Sequence, residues 1–133
     1  MTGQAMYELR FFCEWGGGCL WPGNDAVRHD FGLGPYDLLD PCPLPLSAAT
    51  RERCARLTEW HDTSLNWDYP PDPGPWRQAE CDRFNAAASE LLADIRQELG
   101  TGFEVVNDQD PVAEDPDLDA YLADPKGFRR KPA

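Results

Sequence analysis

One stripe of side chains constrains this chain more than any other feature. Between Pro75 and Gly100, the residues Cys81, Phe84, Ala88, Leu91, Leu92, Ile95 and Leu99 recur every three or four positions. That is the period of one face of an α-helix. Proline suits a first helical turn, where its missing N–H has no partner to lose, and glycine suits the stop. The pattern predicts a helix over about 76–99, opened by Pro75 and roughly 36 Å long. Such a helix is apolar on one side only, so a second layer must cover that side.

The second layer is legible at both ends of the chain. "MYELRFFCEW" at 6–15 alternates: Tyr7, Leu9, Phe11, Cys13 and Trp15 fall on one face, and Glu8, Arg10 and Glu14 on the other with Met6 and Phe12. "GFEVVN" at 102–107 reads as a second strand, with Phe103 and Val105 on one face. Alternation of this kind marks a half-buried strand. Two strands alone are marginal, so they are expected to share one small sheet under helices. A third strand can be sought in 19–21 or 36–46, and strand direction stays open. The fold class is therefore α+β: a small sheet including an N-terminal and a C-terminal strand, covered by two to three helices.

The intervening segments fit this plan. The triple glycine at 16–18 ends the first strand, and Pro22-Gly23 marks a turn. Asn24 can cap a short helix over about 25–31 that stops at Gly32. Residues 32–46 hold two glycines and four prolines and read as an irregular crossing anchored by Tyr36, Leu38, Leu39 and Leu44. Ser47 then caps a helix over about 48–63, with Cys54, Leu57, Trp60, His61 and Leu65 on its inward side. "LNWDYPPDPGPW" at 65–76 is a proline-rich connector between the two best helices. Its four prolines reduce the entropy lost on ordering it.

A single domain is expected over 1–107. Residues 108–124 carry seven acids and no base, and "KGFRRK" follows at 126–131, so 108–133 reads as a charged C-terminal tail, expected to be mobile. Leu118, Tyr121 and Leu122 could still form one helical turn that docks.

The formal net charge is −12, which disfavours nucleic acid phosphates and anionic membrane surfaces as partners and favours a basic protein. The N-terminus shows no basic region followed by an apolar run, and no apolar stretch is long enough to cross a bilayer. Five cysteines without a C-x-x-C pair suit free thiols in a reducing compartment, so the expected location is the cytoplasm.

Chemistry finds few footholds. Cys54 and His61 are the only metal candidates, seven apart on one helix, and zinc pairs are usually tighter, so neither a metal nor another cofactor is expected. The same pair stands ~11 Å apart along the helix, too far for nucleophile activation. "GGGC" lacks the lysine and hydroxyl of a phosphate loop. Asp62, Asp68 and Asp72 lie among Trp60, Trp67, Tyr69 and Trp76. Carboxylates with rings suit a cation or a basic partner. The candidate partner-binding residues are therefore Asp62, Trp67, Asp68, Tyr69, Asp72 and Trp76, with no catalytic residue assigned.

The segments "LW…ND" at 20–25, "WHDTSLNWDYPPDPGPW" at 60–76 and "FNAAASELLADIRQELG" at 84–100, behind a "YELRFF" strand, resemble small acidic bacterial proteins of actinobacterial type. That resemblance spans about 6–107 and carries no activity, so it transfers no functional residue. In size and acidity the chain is also similar to immunity proteins paired with polymorphic toxins, which implies a non-catalytic protein that blocks a basic toxin domain. Two alternatives stand beside it. One is a small enzyme or ligand-binding module with an aromatic and acidic pocket around Trp60–Tyr69. The other is a Cys/His metal-binding protein.

Overall fold

In the computed structural model, which describes residues 5–31 and 44–130, strands from the two ends of the domain lie side by side. β1 (Tyr7–Phe11) is central, flanked by β2 (Leu20–Pro22) and β3 (Phe103–Asn107). β2 runs antiparallel to β1 with Phe11 opposite Leu20, closing a hairpin whose tip carries the glycines. Gly16 there has φ of 76°, the left-handed region that a side chain disfavours. β3 runs parallel to β1, pairing Leu9 with Val105. A parallel pair needs a long crossover, and the helices between the two strands supply it. The third strand thus overlaps the first of the two expected regions and runs one residue past it, to Pro22. Of the second, 36–43 lies outside the described residues, as do Tyr36, Leu38 and Leu39.

The described residues also hold four α-helices: α1 (Asp25–Phe31), α2 (Ala48–Asp62), α3 (Gln78–Leu99) and α4 (Leu118–Ala123). Both capping expectations hold. The Asn24 side chain accepts from Val27 N at 3.1 Å, and Ser47 Oγ accepts from Thr50 N at 3.1 Å. Glu98 on α3 reinforces the second cap by accepting from Ser47 N at 2.7 Å and from the Thr50 hydroxyl. These bonds hold its carboxylate below its ordinary pKa range.

The core is where the α3 stripe meets the sheet. Phe84, Ala88, Leu92 and Ile95 are buried together with Leu9, Phe11, Leu20 and Val105, and Cys54 and Leu57 of α2 join the same cluster. Full burial of one such large side chain is worth roughly 1.5–3 kcal/mol. Arg96 closes the outer edge of β3: its Nη2 and Nε donate to Val105 O at 2.6 and 3.1 Å. A blocked edge resists unwanted strand pairing.

Two boundaries differ from the sequence expectation. β1 ends at Phe11, although Phe12 N and Glu14 N still bond across the hairpin to Cys19 O and Gly18 O. α3 begins at Gln78, with Arg77 extended as its cap at φ −82° and ψ 163°, so Pro75 and Trp76 precede the helix. The reason is packing. Trp76 turns into the core against Phe84, with ring centres 5.2 Å apart, and its indole N–H reaches Thr63 Oγ1 at 2.8 Å.

Beyond β3 the chain passes back along α3. Asn85 Nδ2 donates to Val112 O at 2.9 Å, and Gln78 N donates to Glu114 Oε1 at 3.0 Å. Leu118 of α4 is fully buried.

Candidate partner-binding surface

The surface begins where α2 stops. Thr63 and Ser64 close the helix by donating to Trp60 O and His61 O. The connector then has to turn sharply across the helix end. Gly74 permits this: a Cβ there would meet Ser64 O at 2.0 Å, so no side chain fits. Asn66 fastens the turn from inside. Its Nδ2 donates to Pro73 O at 3.2 Å, and its Oδ1 accepts from Asp68 N and Tyr69 N, both at 3.1 Å. The backbone that displays residues 67–69 is thereby held at both ends.

Asp62 joins the connector to the β1–β2 hairpin. Its carboxylate accepts from Gly16 N at 2.9 Å, and its main-chain oxygen accepts from Trp67 Nε1 at 2.6 Å. On the hairpin side, Trp15 Nε1 donates to Ser64 Oγ at 3.0 Å. Both indoles are thus fixed by their N–H groups while their rings stay open: Trp15 is 46% exposed, Trp67 59% and Tyr69 58%. Rings held this way lose little further freedom on binding a partner. Asp68 and Glu14 are exposed beside them, and Asp62 and Asp72 are half-buried.

The expected site residues therefore divide. Asp62, Trp67, Asp68, Tyr69 and Asp72 lie on this surface, whereas Trp76 is 5% exposed and belongs to the core. Trp15, read from alternation as an inward residue of β1, lies past the strand's end and is open to solvent. The glycine run directly after it was the available signal, since a side chain at a hairpin tip has little sheet beneath it.

His61 sits under Trp15, ring to ring at 5.1 Å, with Phe84 behind it at 5.5 Å. It is 5% exposed, and its Nδ1 is buried without a hydrogen-bond partner among the described residues. Burial pushes its pKa down, against the opposing pull of Asp62 and Glu14. Cys54 does not approach it. That thiol packs against Cys19, and this contact, followed by burial, holds it protonated far above its usual range. A thiol that stays protonated is a poor nucleophile and a poor metal ligand. Among the described residues no group of three or more His, Cys, Asp or Glu side chains is arranged to hold a metal ion. No helix among them is long and apolar enough to cross a membrane.

A cleft of about 440 Å³ opens beside the surface, between Trp15, the connector and the segment 112–116. It is walled by Trp15, Asn66, Asp72, Trp76 and Glu114, and His61 is not among its walls.

Residues 8–110 match the model of a family described as Serratia CdiI immunity protein-like. The chain belongs to this CdiI immunity protein-like family. The matched range contains the sheet apart from Tyr7, α1 to α3 and the connector, and it stops before α4. No curated protein matches the chain.

Proposed function

We propose that this chain is a non-catalytic, cytoplasmic immunity protein that binds and neutralises a basic toxin domain through the face carrying Trp15, Asp62, Trp67, Asp68, Tyr69 and Asp72. Membership of the CdiI immunity protein-like family is the observation that carries this reading. The chemistry of the face supports it. Exposed aromatic rings on a fixed backbone are the usual energetic anchors of a protein interface. The charge of −12 attracts a basic domain over distance and speeds encounter, an effect that salt weakens.

The enzyme alternative needs His61 beside Asp62 in an open pocket. His61 instead lies sealed between Trp15 and Phe84, while the Asp62 carboxylate is engaged by Gly16 N. The metal alternative needs converging ligands around Cys54 and His61, and Cys54 packs against Cys19 instead.

The test is co-expression with the toxin domain of the neighbouring reading frame. The expected result is restored growth of cells expressing that toxin and a complex that survives gel filtration at low salt. Absence of both protection and complex would overturn the reading.

A further inference from the structure

The basic end of this acidic chain folds onto the same side of the molecule. Arg130 is seated there with its fork fully engaged. Its Nε donates to Pro71 O of the connector at 3.0 Å, and its Nη2 donates to Asp115 Oδ2 at 2.7 Å. Its Nη1 reaches Asp117 Oδ2 at 2.9 Å and Asp115 Oδ1 at 3.3 Å. The receiving side is itself braced, because Asp115 Oδ1 also accepts from Asp117 N at 2.8 Å. Phe128 props the strap by packing edge-on to Tyr121 at 5.5 Å, and the Arg130 guanidinium lies 5.8 Å from the Phe128 ring centre.

This geometry is specific for a guanidinium. A carboxylate, a second carboxylate and a main-chain carbonyl converge on one planar fork, which an ammonium cannot satisfy in the same way. The seat also has room beside it. Arg130 and Asp72 line both the 440 Å³ cleft and a second cleft of about 520 Å³ bounded by Tyr69 and Phe128. The seat therefore adjoins the aromatic face, whose Tyr69 and Asp72 line a cleft that Arg130 also lines.

We propose that the Asp115–Asp117–Pro71 seat is an arginine-recognition site, filled by the chain's own Arg130 in the free protein and taken over by an arginine of a basic protein partner on binding. The takeover rests on the toxin-binding reading above; the arginine selectivity of the seat does not. The strap then acts as an internal competitor. The affinity of a partner that must displace it is scaled down to the fraction of time the seat stands open.

A peptide separates these claims. The nine residues 125–133 are synthesised and added in trans to the full chain and to its Arg130→Ala variant. Binding is read from tryptophan emission, since Trp15 and Trp76 line the cleft, and from amide shifts of Asp115 and Asp117. The Arg130→Ala chain should bind the peptide about tenfold more tightly than the wild type does. The same peptide with Arg130→Ala should lose that advantage, and so should the Arg130→Ala chain once Asp115→Asn is added. Equal binding by the two chains, equal binding of the two peptides, or no binding to either chain would each overturn the proposal. Failure of toxin protection with peptide recognition intact would overturn the functional reading alone.

Discussion

Trp67 and Trp76 stand on one proline-rich connector, nine residues apart, and face opposite ways. Trp76 is 5% exposed and packs on Phe84 and Trp60; Trp67 is 59% exposed and touches the protein chiefly through its indole N–H. Composition and neighbouring prolines are much the same for both. The difference arises from what lies beneath. At the end of α2, Trp76 meets Thr63 Oγ1 and the rings of Trp60 and Phe84, whereas Trp67 meets the main-chain oxygen of Asp62. A connector built this way has two faces, one spent on folding and one left for a partner. Substitutions on the two faces should therefore separate stability from binding.

The largest effect is expected at Trp76. Trp76→Ala should cost about 3–5 kcal/mol of stability, measured by denaturant unfolding, through loss of a buried indole and the cavity it leaves. Trp67→Ala should leave the unfolding midpoint nearly unchanged and weaken toxin binding by about 30-fold, the effect of an interface anchor worth ~2 kcal/mol. If both substitutions shifted stability alike, the two-faced account would be broken.

Asn66 joins the two faces. Asn66→Ala removes three hydrogen bonds at a buried position and should cost roughly 1–3 kcal/mol. It should also weaken binding, because the backbone of residues 67–69 loses its inner tie. Loss of stability with full binding would show that the display of Trp67 and Tyr69 does not depend on that tie.

A smaller effect is expected from His61, which underlies Trp15. Burial lowers its pKa in the folded chain, so the unfolded chain takes up the proton first. The folded state should lose stability as pH falls below about 6.5 toward the depressed folded value. His61→Gln should flatten this slope, measured as the unfolding midpoint against pH. An unchanged slope would assign the pH dependence to other groups.

Much of the frame was legible because its signals are local. The α3 stripe, the strands at the two ends and the Ser47 and Asn24 caps depend on spacing within a few residues, and all of them formed. The start of α3 was not legible, since Trp76 leaves the helix to fill a pocket made partly by Thr63, the residue that follows α2. Nor was the parallel pairing of β1 with β3, which depends on how the helices route the chain. The site was half legible. Asp68 and Tyr69 sit in a segment whose turn chemistry displays them. The tie of the Trp15 indole to Ser64, 49 residues away, is encoded by no local pattern.

The central claim is that the outward face of the connector captures a basic toxin domain. The most direct measurement is calorimetric titration of that domain into wild type, Trp67→Ala and Leu57→Ala, the last lying in the α2–α3 groove away from the connector. The account predicts about 30-fold weaker binding for Trp67→Ala, and near-wild-type affinity for Leu57→Ala where it remains folded. Unchanged affinity for Trp67→Ala would contradict it.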